Sequence, residues 1–130
     1  MRRRSWSVVL GVGVPLVLAS LAACGSDEPS TTFEGAAGRG QQLARSKGCA
    51  ACHGADGQGG VGPAWTRLGS EIELEDGSTV VVDEAYIRES ITDPGAKVAK
   101  GTSTRMPKTS LSDEEVDALV AYILALNEDA

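Results

Sequence analysis

From residue 112 to 126, "SDEEVDALVAYILAL", apolar side chains fall at Val116, Leu119, Val120, Ile123 and Leu124. That three-and-four spacing lines one face of a helix and predicts a stripe packed on a core. Ser112 stands where it can cap the helix, Glu115 completes a capping box, and Asp113 and Glu114 suit the positive end of the helix dipole. A shorter helix is predicted over 36–47, "AAGRGQQLARSK", and a third over 83–90, "DEAYIRES", capped by Asp83 and stopped near Pro94. Between them the period changes. In "EIELEDGSTVVV", 71–82, Ile72 and Leu74 alternate with acids, the chain turns at Asp76-Gly77, and it returns through β-branched residues. This is a hairpin pattern. The expected fold class is therefore all-α, with a short two-stranded β-hairpin inserted, and no internal repeat is visible.

The N-terminal pattern belongs to export rather than to the fold. "MRRRSWSVVLGVGVPLVLASLAAC" has three arginines, an apolar run over 8–18 and small residues at its end. The final "LAAC" resembles the lipobox of bacterial lipoproteins, which implies cleavage before Cys24 and lipidation of that cysteine. An uncleaved anchor over 6–23 remains open, since the run nearly reaches the roughly 18 to 20 residues that span a bilayer. A freely soluble product is the third reading, and all three export the domain. "GSDEPSTTFEG" follows, polar and poor in apolar residues, and reads as a flexible spacer. The division expected is a signal peptide over 1–23, a linker over 24–35 and one domain over 36–130.

Composition adds two constraints. Aromatic residues are only 4% of the chain, so large side chains alone fill an interior poorly and something else must supply apolar bulk. The net charge is −6 over 130 residues; without Arg2, Arg3 and Arg4 the twelve basic residues become nine against eighteen acidic, or −9. That balance argues against nucleic acid as a partner.

The candidate chemistry is concentrated in "KGCAACHGADG", which holds Cys49, Cys52 and the chain's single histidine, His53. C-x-x-C-H is the attachment signature of c-type haem. Each thiol adds to one vinyl group of the porphyrin, so the thiols must sit close together on a tight turn, and the histidine next in line supplies an axial ligand to iron. One covalent haem c would supply the missing apolar bulk. Three competitors remain: a thioredoxin-like pair, which needs a βαβ context; a structural zinc site, which needs four ligands; and a plain disulfide in an exported protein. For the second axial position there is no other histidine. Met1 leaves with the signal, so Met106, in the polar stretch "TRMPKTS", is the candidate, against the alternative of an ordinary core methionine. With both positions filled, the iron is a relay for one electron. If Met106 does not bind, an open iron could sense gas or reduce peroxide, although no distal histidine or nearby base is evident.

With C-x-x-C-H, a later Met-Pro and helices at both ends, the chain from about 38 to 126 resembles class I c-type cytochromes. More narrowly, "GCAACHGADGQGGVGPAWTRL", the hairpin "IELEDGSTVVVDEAYIRESITDPGA" and "MP…LSDEEVDALVAYILAL" resemble the cytochrome c domain fused to subunit II of some bacterial haem-copper oxidases. The resemblance implies thioether links at Cys49 and Cys52, axial ligation by His53 and Met106, and a hydrogen bond from His53 Nδ1 to the Pro63 carbonyl. It also implies a close crossing of the first and last helices at Gly40, with Tyr122 as the aromatic of the last helix. The family usually has Phe or Tyr where this chain has Ala44. Trp65 either makes up lost bulk, borders the haem or packs as an ordinary core residue. No copper-binding domain precedes residue 36, so a cytochrome standing alone is expected.

The function implied is an exported, membrane-tethered monohaem electron carrier, not itself an enzyme. Its donor would be a quinol-oxidising complex or a dehydrogenase, its acceptor a terminal oxidase, and its place the periplasm or the outer face of the cytoplasmic membrane. A redox subunit of a larger complex is the alternative. Lys97, Lys100, Arg105 and Lys108 form an acid-free run around Met106. They are expected either to make a basic rim for an acidic partner or to serve only as loop-solubilising charges.

Overall fold

The structure, a computed structural model, describes residues 33–128. The signal segment, Cys24 and most of the presumed spacer lie outside the described residues. The elements run α1 (Gly35–Ser46), α2 (Cys49–His53), β1 (Glu71–Glu73), β2 (Thr79–Val81), α3 (Glu84–Thr92) and α4 (Asp113–Ala125).

Helix α4 forms where its spacing and caps direct it. Ser112 Oγ accepts from Glu115 N at 3.3 Å, and Glu115 Oε2 accepts from Ser112 N at 3.0 Å. Its stripe is buried, with Val116, Leu119, Val120 and Ile123 joining Val82, Ile87 and Ile91 in one cluster. Each such aliphatic side chain contributes about 1.5–3 kcal/mol on leaving water.

Helices α1 and α4 make the largest contact between elements. Gly40 permits it: a Cβ there would run into the Ala118 carbonyl and stand 2.7 Å from Tyr122 Cβ. Ala44, 1% exposed, lies in the same core cluster. The aromatic neighbours of Tyr122 come from elsewhere. Phe33 meets it edge-on at 5.2 Å between centroids, and Trp65 meets it edge-on at 5.9 Å. Phe33 falls inside the stretch read as a spacer, yet it is half-buried against the core. A composition averaged over that stretch hides a single aromatic placed just before a helix.

Helix α3 is capped by Asp83, whose carboxylate accepts from Tyr86 N at 2.8 Å, and it continues past residue 90 to Thr92. The hairpin pairs Glu71 with Val81, Ile72 with Val80 and Glu73 with Thr79. Leu74 N donates to Ser78 O at 2.8 Å to close the turn, and Asp76 Oδ1 accepts from Ser78 N. Leu74 turns inward while Glu71, Glu73 and Glu75 remain exposed. The other edge of β1 has an unanticipated neighbour: Leu74 bridges Ala99, with Glu75 N donating to Val98 O and Lys100 N to Glu73 O, both at 2.9 Å. The stretch "KVAK" is too short for its period to announce this.

Candidate functional site

Cys49, Cys52 and His53 sit on α2, one short helix where the sequence suggested only a tight turn. Positions three apart share a face of a helix, so both thiols face the same way. Both cysteines are half-buried and free of a disulfide. Burial pushes the Cys49 thiol above its usual value, and nearby Cys52 adds to the rise, partly offset by a backbone hydrogen bond and by Lys47. Among the described residues no group of three or more His, Cys, Asp or Glu could hold a metal ion. Among the described residues the strands form an antiparallel pair, not the βαβ unit that a thioredoxin-like site requires.

His53 is 8% exposed, and its Nδ1 lies 2.8 Å from the Pro63 carbonyl oxygen. A carbonyl can only accept, so Nδ1 carries a proton and Nε2 is the ring nitrogen left to ligate. The loop after α2 is wound to bring Pro63 there. Gly59 N donates to His53 O at 2.7 Å, Gly62 N to Cys52 O at 2.9 Å, and Trp65 N to Gly57 O at 2.8 Å. Trp65 then stacks on the imidazole, 5.0 Å between centroids and 21° from parallel.

Two residues that sequence reasoning passed over hold this loop. At Gly62 a Cβ would stand 2.8 Å from His53 Cε1 and 2.9 Å from Nδ1. Asn127 donates from Nδ2 to Trp65 O at 3.0 Å and to Ile123 O at 2.7 Å, while its Oδ1 accepts from Leu68 N at 3.2 Å. A polar residue just past a helix end reads as solvated, and nothing local signals partners some sixty positions away.

The loop and core enclose a cleft, mostly apolar, whose walls include Cys52, His53, Trp65, Ile87, Leu119 and Met106. Met106, half-buried, reaches it from the segment between α3 and α4. Cys49 and Pro63 also line it. In its wall the Ser90 hydroxyl oxygen is buried with no hydrogen-bond partner. Two free thiols, an imidazole whose Nδ1 is already engaged, a thioether and apolar walls on one cleft fit a covalently held porphyrin.

The basic run around Met106 is not a basic surface. Lys97 pairs with Glu89 at 2.7 Å, Lys100 with Glu73 at 2.5 Å and Arg105 with Glu75 at 2.6 Å. Among the described residues only Lys108 of the four has no ion pair. The acids that neutralise the run come from α3, from β1 and from the hairpin turn after it, before the run in sequence.

A family model described as Cytochrome c matches residues 37–127. No curated protein matches the chain.

Proposed function

The chain belongs to the cytochrome c family, whose members bind haem c covalently and typically carry one electron at a time, and from that premise we propose an exported, lipid-anchored carrier serving a respiratory chain. The observation that carries the reading is the His53–Pro63 hydrogen bond, which leaves Nε2 free in the cleft that Met106 also lines.

In this reading Cys49 and Cys52 would hold the haem through thioethers, and His53 Nε2 and Met106 sulfur would be the protein's ligands to its iron. The bound haem supplies a one-electron iron couple; what the chain supplies is its setting. The Pro63 carbonyl fixes the imidazole plane and raises its basicity. Stacked Trp65 and the aliphatic walls keep water from the cleft, and thioether ligation with burial favours the less charged ferrous state. With both protein ligands bound the iron would have no place for a substrate, so the site would relay electrons rather than act on a bound molecule.

The proposed donor is a quinol-oxidising complex or a dehydrogenase, and the acceptor a terminal oxidase, as the resemblance to oxidase-fused domains suggests. Cys24 carries the anchoring lipid, and multiple acyl chains supply the firm hold that a single chain lacks. The domain then works in the periplasm or at the outer face of the cytoplasmic membrane. Encounter with its partners does not rest on a basic rim, given the ion pairs around Met106.

The deciding experiment is the reduced optical spectrum of the mature protein, made with a haem c maturation system, with and without carbon monoxide. An unchanged low-spin spectrum upholds the carrier. Ready binding of carbon monoxide overturns it in favour of a sensor or peroxidase. Radiolabelled palmitate tests the anchor: incorporation that Cys24→Ala abolishes supports it, and an unlabelled product refutes it.

A further inference from the structure

The segment 103–111, which carries Met106, packs Leu111 against the core at its end but has few polar ties to the rest of the protein. Among the described residues it makes no backbone–backbone hydrogen bond. Its only side-chain hydrogen bond or ion pair is Arg105 Nη2 to Glu75 Oε2, at 2.6 Å. Glu75, just past β1, is held by its own backbone N donating to Val98 O and by its neighbour Leu74, which bridges Ala99 and donates to Ser78 O. Just before the segment the same strand grips the chain again, through Lys100 N to Glu73 O at 2.9 Å and Lys100 Nζ to Glu73 Oε1 at 2.5 Å.

We infer that the hairpin is a clasp for the Met106 segment, with Glu75 and Arg105 as positioning residues that hold Met106 in the cleft. This rests on the reading of Met106 as an axial ligand. The physical reason is entropic. A stretch without backbone ladders samples many conformations, and the one polar tie beside the ligand limits how far and how often its sulfur departs. The hairpin buries Leu74 and packs Ile72 on the core while Glu71, Glu73 and Glu75 stay exposed, so its acids are free to grip the neighbouring segment. The tie is exposed, with side chains 66% and 40% accessible at Arg105 and Glu75. Salt should therefore loosen it.

The test uses the oxidised holoprotein and added imidazole, which replaces a methionine ligand only when that ligand has left. Glu75→Gln and Arg105→Gln should each speed imidazole binding by about 1.5- to fivefold, the double variant no further, since exposed pairs act on this modest scale. The exchanged pair, Glu75→Arg with Arg105→Glu, should recover much of the wild-type rate, and high salt should bring wild type toward the single variants. Arg88→Gln, which breaks the Arg88–Asp117 pair between α3 and α4, serves as the control and should not change the rate. Equal rates in wild type and both Gln variants, or an equal acceleration by Arg88→Gln, would overturn the clasp. Met106→Ala separates the two readings. If it leaves the methionine–iron charge-transfer band of the oxidised protein in place, the ligand assignment falls and the clasp with it. If it abolishes the band while the Glu75 and Arg105 variants behave as wild type, the clasp alone falls.

Discussion

Gly62 lies against the imidazole of His53 with no room for a methyl group: a Cβ would come within 2.8 Å of Cε1 and 2.9 Å of Nδ1. The glycine is what allows the loop to pass under the ring and present the next carbonyl, that of Pro63, to Nδ1. Gly62→Ala should displace ring or loop and lower stability by about 1–3 kcal/mol, the usual cost of overpacking. Denaturant unfolding measures that cost, and the reduced spectrum should show a weakened or heterogeneous histidine ligation. A spectrum and midpoint equal to wild type would mean that the loop relaxes freely.

Asn127 fastens the same loop to the end of α4. Removing its side chain in Asn127→Ala leaves the Trp65 and Ile123 carbonyls without that donor and should cost about 1–3 kcal/mol. Asn127→Asp is the sharper variant: it can still accept from Leu68 N, but it has no donor for the two carbonyls. Its unfolding midpoint should fall to near that of the alanine variant. A midpoint near wild type would place the importance on Leu68 instead.

Phe33 marks where the packed domain begins. Losing its edge-on contact with Tyr122 in Phe33→Ala should cost about 1–2 kcal/mol, less than a fully buried ring. Among truncated proteins, one starting at residue 31 should match one starting at residue 25 in thermal midpoint, and one starting at 35 should fall below both. Equal midpoints would return Phe33 to the spacer.

Glu115 links the fold to pH. Its carboxyl is held below the usual 4.5 chiefly by the Ser112 backbone N–H and next by Lys47. A carboxyl depressed in the folded state stabilises the fold above its unfolded value, and that contribution is lost as pH falls through the lower, folded value. Stability should therefore decline on acidification below about 4.5. Asp76 and Glu114 are depressed as well, so the informative quantity is the difference between wild type and Glu115→Gln. That difference should be present at neutral pH and vanish in acid. A gap independent of pH would trace the effect to packing rather than ionisation.

The C-x-x-C-H stretch, the capping box and stripe of α4, the Asp83 cap and the Asp76-Gly77 turn were legible because each is local. Every one is a pattern of residue types within a few positions, and the backbone responds to it before any distant partner arrives. From these the sequence by itself determined α3, α4, the hairpin and the residue types gathered at Cys49, Cys52 and His53, but not the helix α2 that carries them. The tertiary structure alone decided what these elements do to one another. It set Phe33 and Trp65 on Tyr122, bound Asn127 to a loop some sixty positions away, closed Gly62 on His53, and turned an acid-free run around Met106 into ion pairs with Glu73, Glu75 and Glu89. The physical reason is that contact and charge pairing depend on distance in space, which the order of residues along the chain does not encode until the core has folded.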